Sequence, residues 1–311
     1  MGAVFRWIKY IYEWCKNFAY ALSGNAFGYY PPYDQGVQFY VDGVNGLDTN
    51  NGKSWAMAFK TIAVARAAAN AIVEARGWGI GEYSTIWIRP GVYKEHDMGF
   101  PFHCHMIGLG IGGHEMVKIK PDAGKGEDPV TCIFKGNSQG THLANLWMEI
   151  ADDDLAIIDA GVLNSFLMED CVLKPADGKT GVIGIRTETS EWLEIRRCVF
   201  QFSALTPLAY AMHFLGGAGR MLHAARIHDN DIIAEAGIRI DATAGQAVIK
   251  HNVVVASVGI GIHDSVGEAL IVGNDVYAPT DPILTAGGPA QTIRNRVQVG
   301  AAVTADWETP D

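Results

Sequence analysis

The feature that most constrains this chain is a 22-residue repeat in its C-terminal third. Ile227, Ile249, Ile271 and Ile293 are separated by equal steps, and Asn230, Asn252 and Asn274 keep the same step three positions later. Val248, Leu270 and Thr292 form a further column, as do Ile240, Ile262 and Leu284. A fixed period of this length marks a repeat architecture, in which each unit buries its apolar face only by stacking on its neighbours. Each unit holds short β-branched runs such as Val253 to Val255, punctuated by Gly, Asn, Asp or Pro, so one repeat is two or three short strands with turns. Like residues then stack about 4.8 Å apart on successive rungs, which is the geometry of a parallel β-solenoid. The Ile227, Ile249, Ile271 and Ile293 column is expected to point inward. The asparagine column is expected to pass hydrogen bonds from rung to rung, because Asn tolerates the backbone of a tight turn.

Weaker rungs continue upstream. Cys171 in MEDCVL and Cys198 in IRRCVF take the place of the asparagine, at longer steps that require protruding loops. Earlier still, YVDGVNGLDTNNGKSWAMAFKTI, an alanine-rich segment and IWIRPGVYKE follow one another. This succession resembles the opening of right-handed parallel β-helices of the pectate-lyase-like superfamily, many of which sit in phage tailspikes and other virion proteins. The resemblance covers residues 37 to about 300. It implies an all-β fold: a single-stranded right-handed parallel β-helix (solenoid) with an N-terminal capping α-helix. The helix is expected from Phe59 to about Arg76, with Ile62, Ala65, Ala69, Ile72 and Val73 on its apolar face. Four regions follow: an arm and linker (1–34), a strand, turn and capping helix (35–84), the β-helix (85–300) and a tail (301–311).

The arm is helical and unusually aromatic: eleven of the 31 aromatic residues lie in the first 33 positions. Val4, Ile8, Ile11, Cys15, Phe18 and Leu22 follow an alternating four-three spacing that makes a coiled-coil-like seam. Trp7 and Trp14 widen the apolar surface beyond one seam. Val4, Trp7, Ile8, Ile11, Trp14, Phe18 and Leu22 are therefore the expected anchoring and oligomer interface. Charges at Arg6, Lys9, Glu13 and Lys16 interrupt every apolar run a signal peptide would need.

The search for chemistry returns little. A net charge of −10 repels a phosphate backbone, so no nucleic acid partner is expected. Five cysteines without CxxC spacing argue against both a disulfide framework and a zinc site. No metal or other cofactor is expected: Asp42, Asp48 and Asn50 imitate a calcium loop without its closing Glu, and His103 with His105 lacks a third ligand. The carboxylate candidates are Asp152 to Asp154, Glu188 with Glu191, Asp229 with Asp231, and Asp241 with Asp264. None is expected to pair with a base in a catalytic cluster. Asp241 is expected to stack over His263 and Thr285, and Glu169 to form a cross-rung ion pair with Arg196 on a solvent-facing strand. No catalytic residue is assigned.

The resulting expectation is a structural virion protein of a phage-like virus: a spike, fibre or head-decoration subunit, made in the host cytoplasm. Its arm joins other virion proteins (capsid, portal or tail), the oligomer is a homotrimer, and a host surface glycan is a further partner. The alternatives are a polysaccharide lyase or glycoside hydrolase on the same fold, and an exported bacterial adhesin.

Overall fold

A computed structural model describes residues 36–75, 84–110, 116–121, 130–201, 208–217, 219–242, 247–285 and 291–299. Val4, Trp7, Ile8, Ile11, Trp14, Phe18 and Leu22 lie outside these residues, as does the tail from 301 to 311.

The described residues form long parallel sheets, an all-β solenoid-like arrangement, with one α-helix among them. The first sheet has ten strands, one contributed per rung: Gln38–Val41, Ser84–Ile88, Cys104–Gly108, Thr141–Ala144, Leu167–Glu169, Glu194–Arg196, Arg226–His228, Val248–Lys250, Leu270–Val272 and Gln291–Ile293. A second face stacks Val117–Ile119, Leu146–Ile150, Val172–Pro175, Val199–Phe200, the start of Asp231–Ile240, Val253–Ala256, Asp275–Ala278 and Arg296–Val299. A third face stacks Phe134–Gln139, Ala156–Asn164, Ile183–Glu191, Leu208–Phe214, the end of Asp231–Ile240, Ile262–Asp264 and Ile283–Thr285.

The inward column of the first sheet runs Ile86, Met106, Leu143, Met168, Ile195, Ile227, Ile249 and Ile271 in register. All eight are buried. The column then departs from the expected one: Ile271 pairs with Thr292, and Ile293 pairs with Val272 on the outward side, 43% exposed. The last rung is one residue shorter, a step of 21, and a single deletion turns every side chain of a strand to the other face. Thr292 accordingly leaves the Val248 and Leu270 column, where Gln291 replaces it. On the third face the observed column is Ile238, Ile262 and Ile283, whereas Ile240 stacks on Asp264 and Thr285. The turn at 257–260 holds two more residues than its counterpart one rung earlier, and the following turn is shorter, so the coil as a whole keeps its period of 22.

Two features hold the turn between the first and second faces. Asn145, Asp170, Arg197, Asp229, His251, Gly273 and Arg294 all have φ between 52° and 64°, one left-handed residue per rung. The residue after each, from the fourth rung of this series on, is Asn230, Asn252, Asn274 or Asn295; Cys171 and Cys198 hold that place in the second and third rungs. Asn252 Oδ1 accepts from Asn230 N (3.1 Å) and Asn230 Nδ2 (2.9 Å), and Asn252 Nδ2 donates to Ile227 O (3.0 Å) and Asn274 Oδ1 (3.0 Å). Asn295 extends the ladder by accepting from Asn274 N at 2.9 Å. The thiols of Cys171 and Cys198 lie 3.7 Å from Leu143 O and Met168 O, in the carbonyl column that the asparagine amides serve lower down, and 3.3 Å from Glu169 O and Arg196 O of their own rungs.

The helix spans Ile62–Ala75 and buries Ile62, Ala65, Ala69 and Val73; the first three share one core with Phe39, Val41, Ile86 and Ile88. Its N-terminus is tied down by Glu95, whose two carboxylate oxygens accept from Ile62 N and Ala63 N at 2.7 Å each. A carboxylate there satisfies two orphan amides and meets the positive end of the helix dipole. The remaining motif residues interlock around it. Asp48 Oδ1 accepts from Lys60 N and Thr61 N, and Asp42 Oδ1 accepts from Val44 N and Asn45 N. Arg89 donates to Asp42 Oδ2 (2.7 Å), and the Tyr93 hydroxyl joins Gly43 N to Arg89 O. The Oδ1 atoms of both aspartates that imitate a calcium loop therefore accept from backbone amides, and Asp42 Oδ2 accepts from Arg89 and Asn45, which fixes the turn.

Candidate functional site

Two outward columns of polar residues run across the rungs. The first belongs to the first sheet. His105 Nδ1 lies 3.1 Å from His142 Nδ1, and His142 Nε2 lies 3.1 Å from Glu169 Oε1. Arg196 Nε and Arg197 Nη2 both donate to Glu169 Oε2, at 2.9 and 2.5 Å. Arg197 also makes a two-pronged contact with Asp170, and Arg196 reaches Glu194, which meets His228. The expected ion pair of Glu169 with Arg196 is present at 2.8 Å, but Glu169 is only 3% exposed, so the solvent-facing reading is corrected. Burial opposes ionisation of Glu169. The His142 hydrogen bond and the Arg197 and Arg196 charges outweigh it, holding its carboxyl well below the usual range. Burial, aided by His142, pushes the His105 imidazole well below its ordinary value, so it is neutral.

The second column belongs to the third face, where Lys135, Asp159, Arg186, His213, Arg239 and His263 occupy successive register positions. Arg186 forks onto Asp159 with Nε to Oδ1 at 2.9 Å and Nη2 to Oδ2 at 2.6 Å. Asp241, just past its strand, accepts from Arg239 Nε at 2.7 Å and holds His213 Nε2 at 3.0 Å. Arg239 Nη1 in turn donates to the Tyr210 hydroxyl at 3.2 Å, and the Tyr210 and His213 ring centroids are 5.1 Å apart. Asp241 is lowered in pKa: burial works against this, and the bonds from His213 and Arg239 prevail. The contact with Asp241 places a proton on His213 Nε2 and fixes the ring orientation. This arrangement of a carboxylate, an oriented imidazole, a guanidinium and a phenol is a hydrogen-bonding constellation with partly exposed tips.

In these columns Glu169 and Asp241 each meet a histidine and an arginine. The columns also bear on what such clusters can do. Cleavage of a glycosidic bond by general acid catalysis requires a carboxyl that keeps its proton near neutral pH. Glu169, Glu194 and Asp241 are shifted the other way, whereas burial raises Asp170 in the first cluster.

The other candidates are dispersed among turns. Asp264 is fully buried, stacks on Ile240 rather than beside Asp241, and accepts from Val266 N, Gly267 N and Ala269 N. Asp241 therefore does not stack on His263, which pairs with Arg239. Asp153 accepts from Thr180 N at 2.8 Å, and Asp154 adopts a left-handed turn. Asp229 is a turn residue that accepts from His228, and Asp231 pairs with Val253. Glu188 takes an ion pair from Arg220, and Glu191 pairs in register with His223. His103 and His105 do not share a face: His103 occupies a left-handed turn and His105 the sheet. Among the described residues no group of three or more His, Cys, Asp or Glu is placed to hold a metal, and the four described cysteines are free and buried.

The third-face column escaped the sequence reading because its steps are 27, 27, 26 and 24 residues from Asp159 to His263. A search with a variable period for charged residues flanked by β-branched ones could have found it. No family model matches the chain, and neither the curated proteins nor the solved structures contain a match to it.

Proposed function

We propose that this chain is a structural subunit of a phage-like virion, a right-handed parallel β-helix that presents a stiff surface and joins the particle through residues 1–34. The helix at 62–75 closes the first coil, where unpaired strand edges and core would otherwise meet water. The observation that carries the reading is the stacking of parallel strands from Gln38 to Val299, in which Arg186, Arg196 and Arg296 pair with carboxylates of the preceding rung. Such a body suits display and spacing. The resemblance of the opening motif to virion β-helices and the aromatic arm supply the location, with trimerisation and attachment to capsid, portal or tail proteins as parts of the same proposal.

Mass spectrometry of purified particles carrying the full chain or a chain lacking residues 1–34 tests it. The full chain should copurify with particles and the truncated chain should stay folded in the unbound fraction. Normal incorporation of the truncated chain, or recovery of the full chain only from a bacterial envelope, contradicts the proposal. A second reading, a glycan depolymerase, is favoured by one observation, the His213 imidazole oriented by Asp241. Release of shorter glycans by the wild type, abolished by Asp241→Asn, would select it.

A further inference from the structure

We infer that Tyr210, His213 and Arg239 form a binding subsite for an uncharged, hydroxyl-rich saccharide lying across the rungs of the third face. The inference rests on the proposed role in surface attachment and assigns that role a place. Its starting point is complementarity of hydrogen bonding. A sugar hydroxyl both donates and accepts, so its partners are donors and acceptors held side by side. Asp241 fixes the His213 ring through Nε2, so that Nδ1 is the ring's second polar atom, and Arg239 donates to the Tyr210 oxygen, leaving the phenolic proton to donate. Arg239 is itself held by Asp241, so all three tips are positioned before any ligand arrives.

Shape and exposure agree. Tyr210, His213 and Arg239 are each partly exposed, and the Arg239 side chain is 37% exposed. The register neighbour of Tyr210 on the next rung is the small Ala236, and the Tyr210 ring packs beside His213 and beneath the Arg239 guanidinium. An aromatic body with a polar tip is suited to an amphipathic sugar ring. The Arg186 and Asp159 pair, 37% and 38% exposed, offers the same donor-and-acceptor combination one rung before His213, and His263 follows one rung after Arg239. A ligand spanning these rungs meets repeated contacts about 4.8 Å apart.

Charge selects the class. Arg186 is matched by Asp159 and Arg239 by Asp241, so the subsite presents no surplus positive charge, and the whole chain carries −10. A polyanionic glycan gains nothing here and is repelled at long range.

The full chain should be tested against immobilised neutral oligosaccharides containing glucose, galactose, mannose or N-acetylglucosamine, with polygalacturonate as the charged comparison. At least one neutral saccharide should bind. Tyr210→Ala and His213→Ala should each weaken it about tenfold, the scale of one lost contact, with melting curves reporting that both variants fold. Tyr210→Phe, which keeps the ring, should lose less, and Lys250→Ala on the first sheet should lose nothing. Binding that persists in both alanine variants, preference for polygalacturonate, or a wild type that binds no neutral saccharide overturns the inference. Particle incorporation is a separate readout, so failure here leaves the virion proposal standing or falling on its own test.

Discussion

Replacing Asn252 by Ala perturbs the turn ladder at its centre. The side chain makes four hydrogen bonds, two accepted at Oδ1 and two donated from Nδ2, at 2.9 to 3.1 Å. Two of the four partners have alternatives: Asn230 Nδ2 still donates to Ile195 O, and Asn274 Oδ1 still accepts from Asn252 N. The Ile227 carbonyl keeps its place in the sheet register against Lys250, so the Asn230 amide is the group that loses its partner, at a site where Asn252 and Asn230 are each 1% exposed. A buried polar group left unpaired costs about 1–3 kcal/mol, which is the expected loss. Urea denaturation followed by circular dichroism measures this directly, with Lys250→Ala as a control on the same rung. A loss below about 0.5 kcal/mol, the range of ordinary surface changes, would refute the reasoning that the ladder holds the turns.

Three further outcomes are expected. Ile249→Asp places a charge in the inward column without a partner and should cost several kcal/mol; a variant that melts like the parent would mean that the column faces solvent. Lowering the pH from 7.5 should reduce the melting temperature, because His105 is held below its ordinary value of 6.5, so the unfolded chain takes up the proton first and stability falls as pH drops through that value. Glu169, held below 4.5, adds a second loss under that pH; His105→Gln should flatten the upper window, and an unchanged melting temperature between pH 7.5 and 5.5 would contradict both the burial and the sign. His251→Gly should stabilise by up to about 1 kcal/mol in thermal melts, since His251 is exposed and holds φ at 54°, a conformation that costs a side chain with Cβ about that much; destabilisation would show that its imidazole matters more than its backbone.

The parts of this molecule visible in the sequence are those where the coil length is constant. From Ile227 to Asn274 every rung adds 22 residues, so Ile249 lies beneath Ile227 and Asn252 beneath Asn230 in the fold as in the repeat. One missing residue in the last coil was enough to misplace Ile293 and to hide Asn295 as a ladder member. The left-handed column was invisible for a different reason. The geometry of the turn is conserved from rung to rung, whereas its occupant is Asn, Asp, Arg, His or Gly, so no residue type announces it. Arg197 tolerates that backbone while forking onto Asp170, and such compensation across 27 residues has no local signature. The candidate saccharide subsite was hidden by turns of unequal length, which shift Arg186, His213 and Arg239 against any single period.

Every assignment made here, from the asparagine ladder to the Tyr210 subsite, depends on which residue of one rung lies over which residue of the next. Electron paramagnetic resonance distances between spin labels on the second face test that register most directly. Lys118, Asp231 and Arg296 lie on one outward column, with four rung steps between the first two and three between the last two. At about 4.8 Å per rung, labels should be about 19 Å apart for Lys118 and Asp231, about 14 Å for Asp231 and Arg296, and about 34 Å for Lys118 and Arg296. Additive distances in that order are the result the account predicts. A Lys118 to Arg296 distance shorter than that from Lys118 to Asp231 would mean that the rungs do not stack in chain order, and would contradict it.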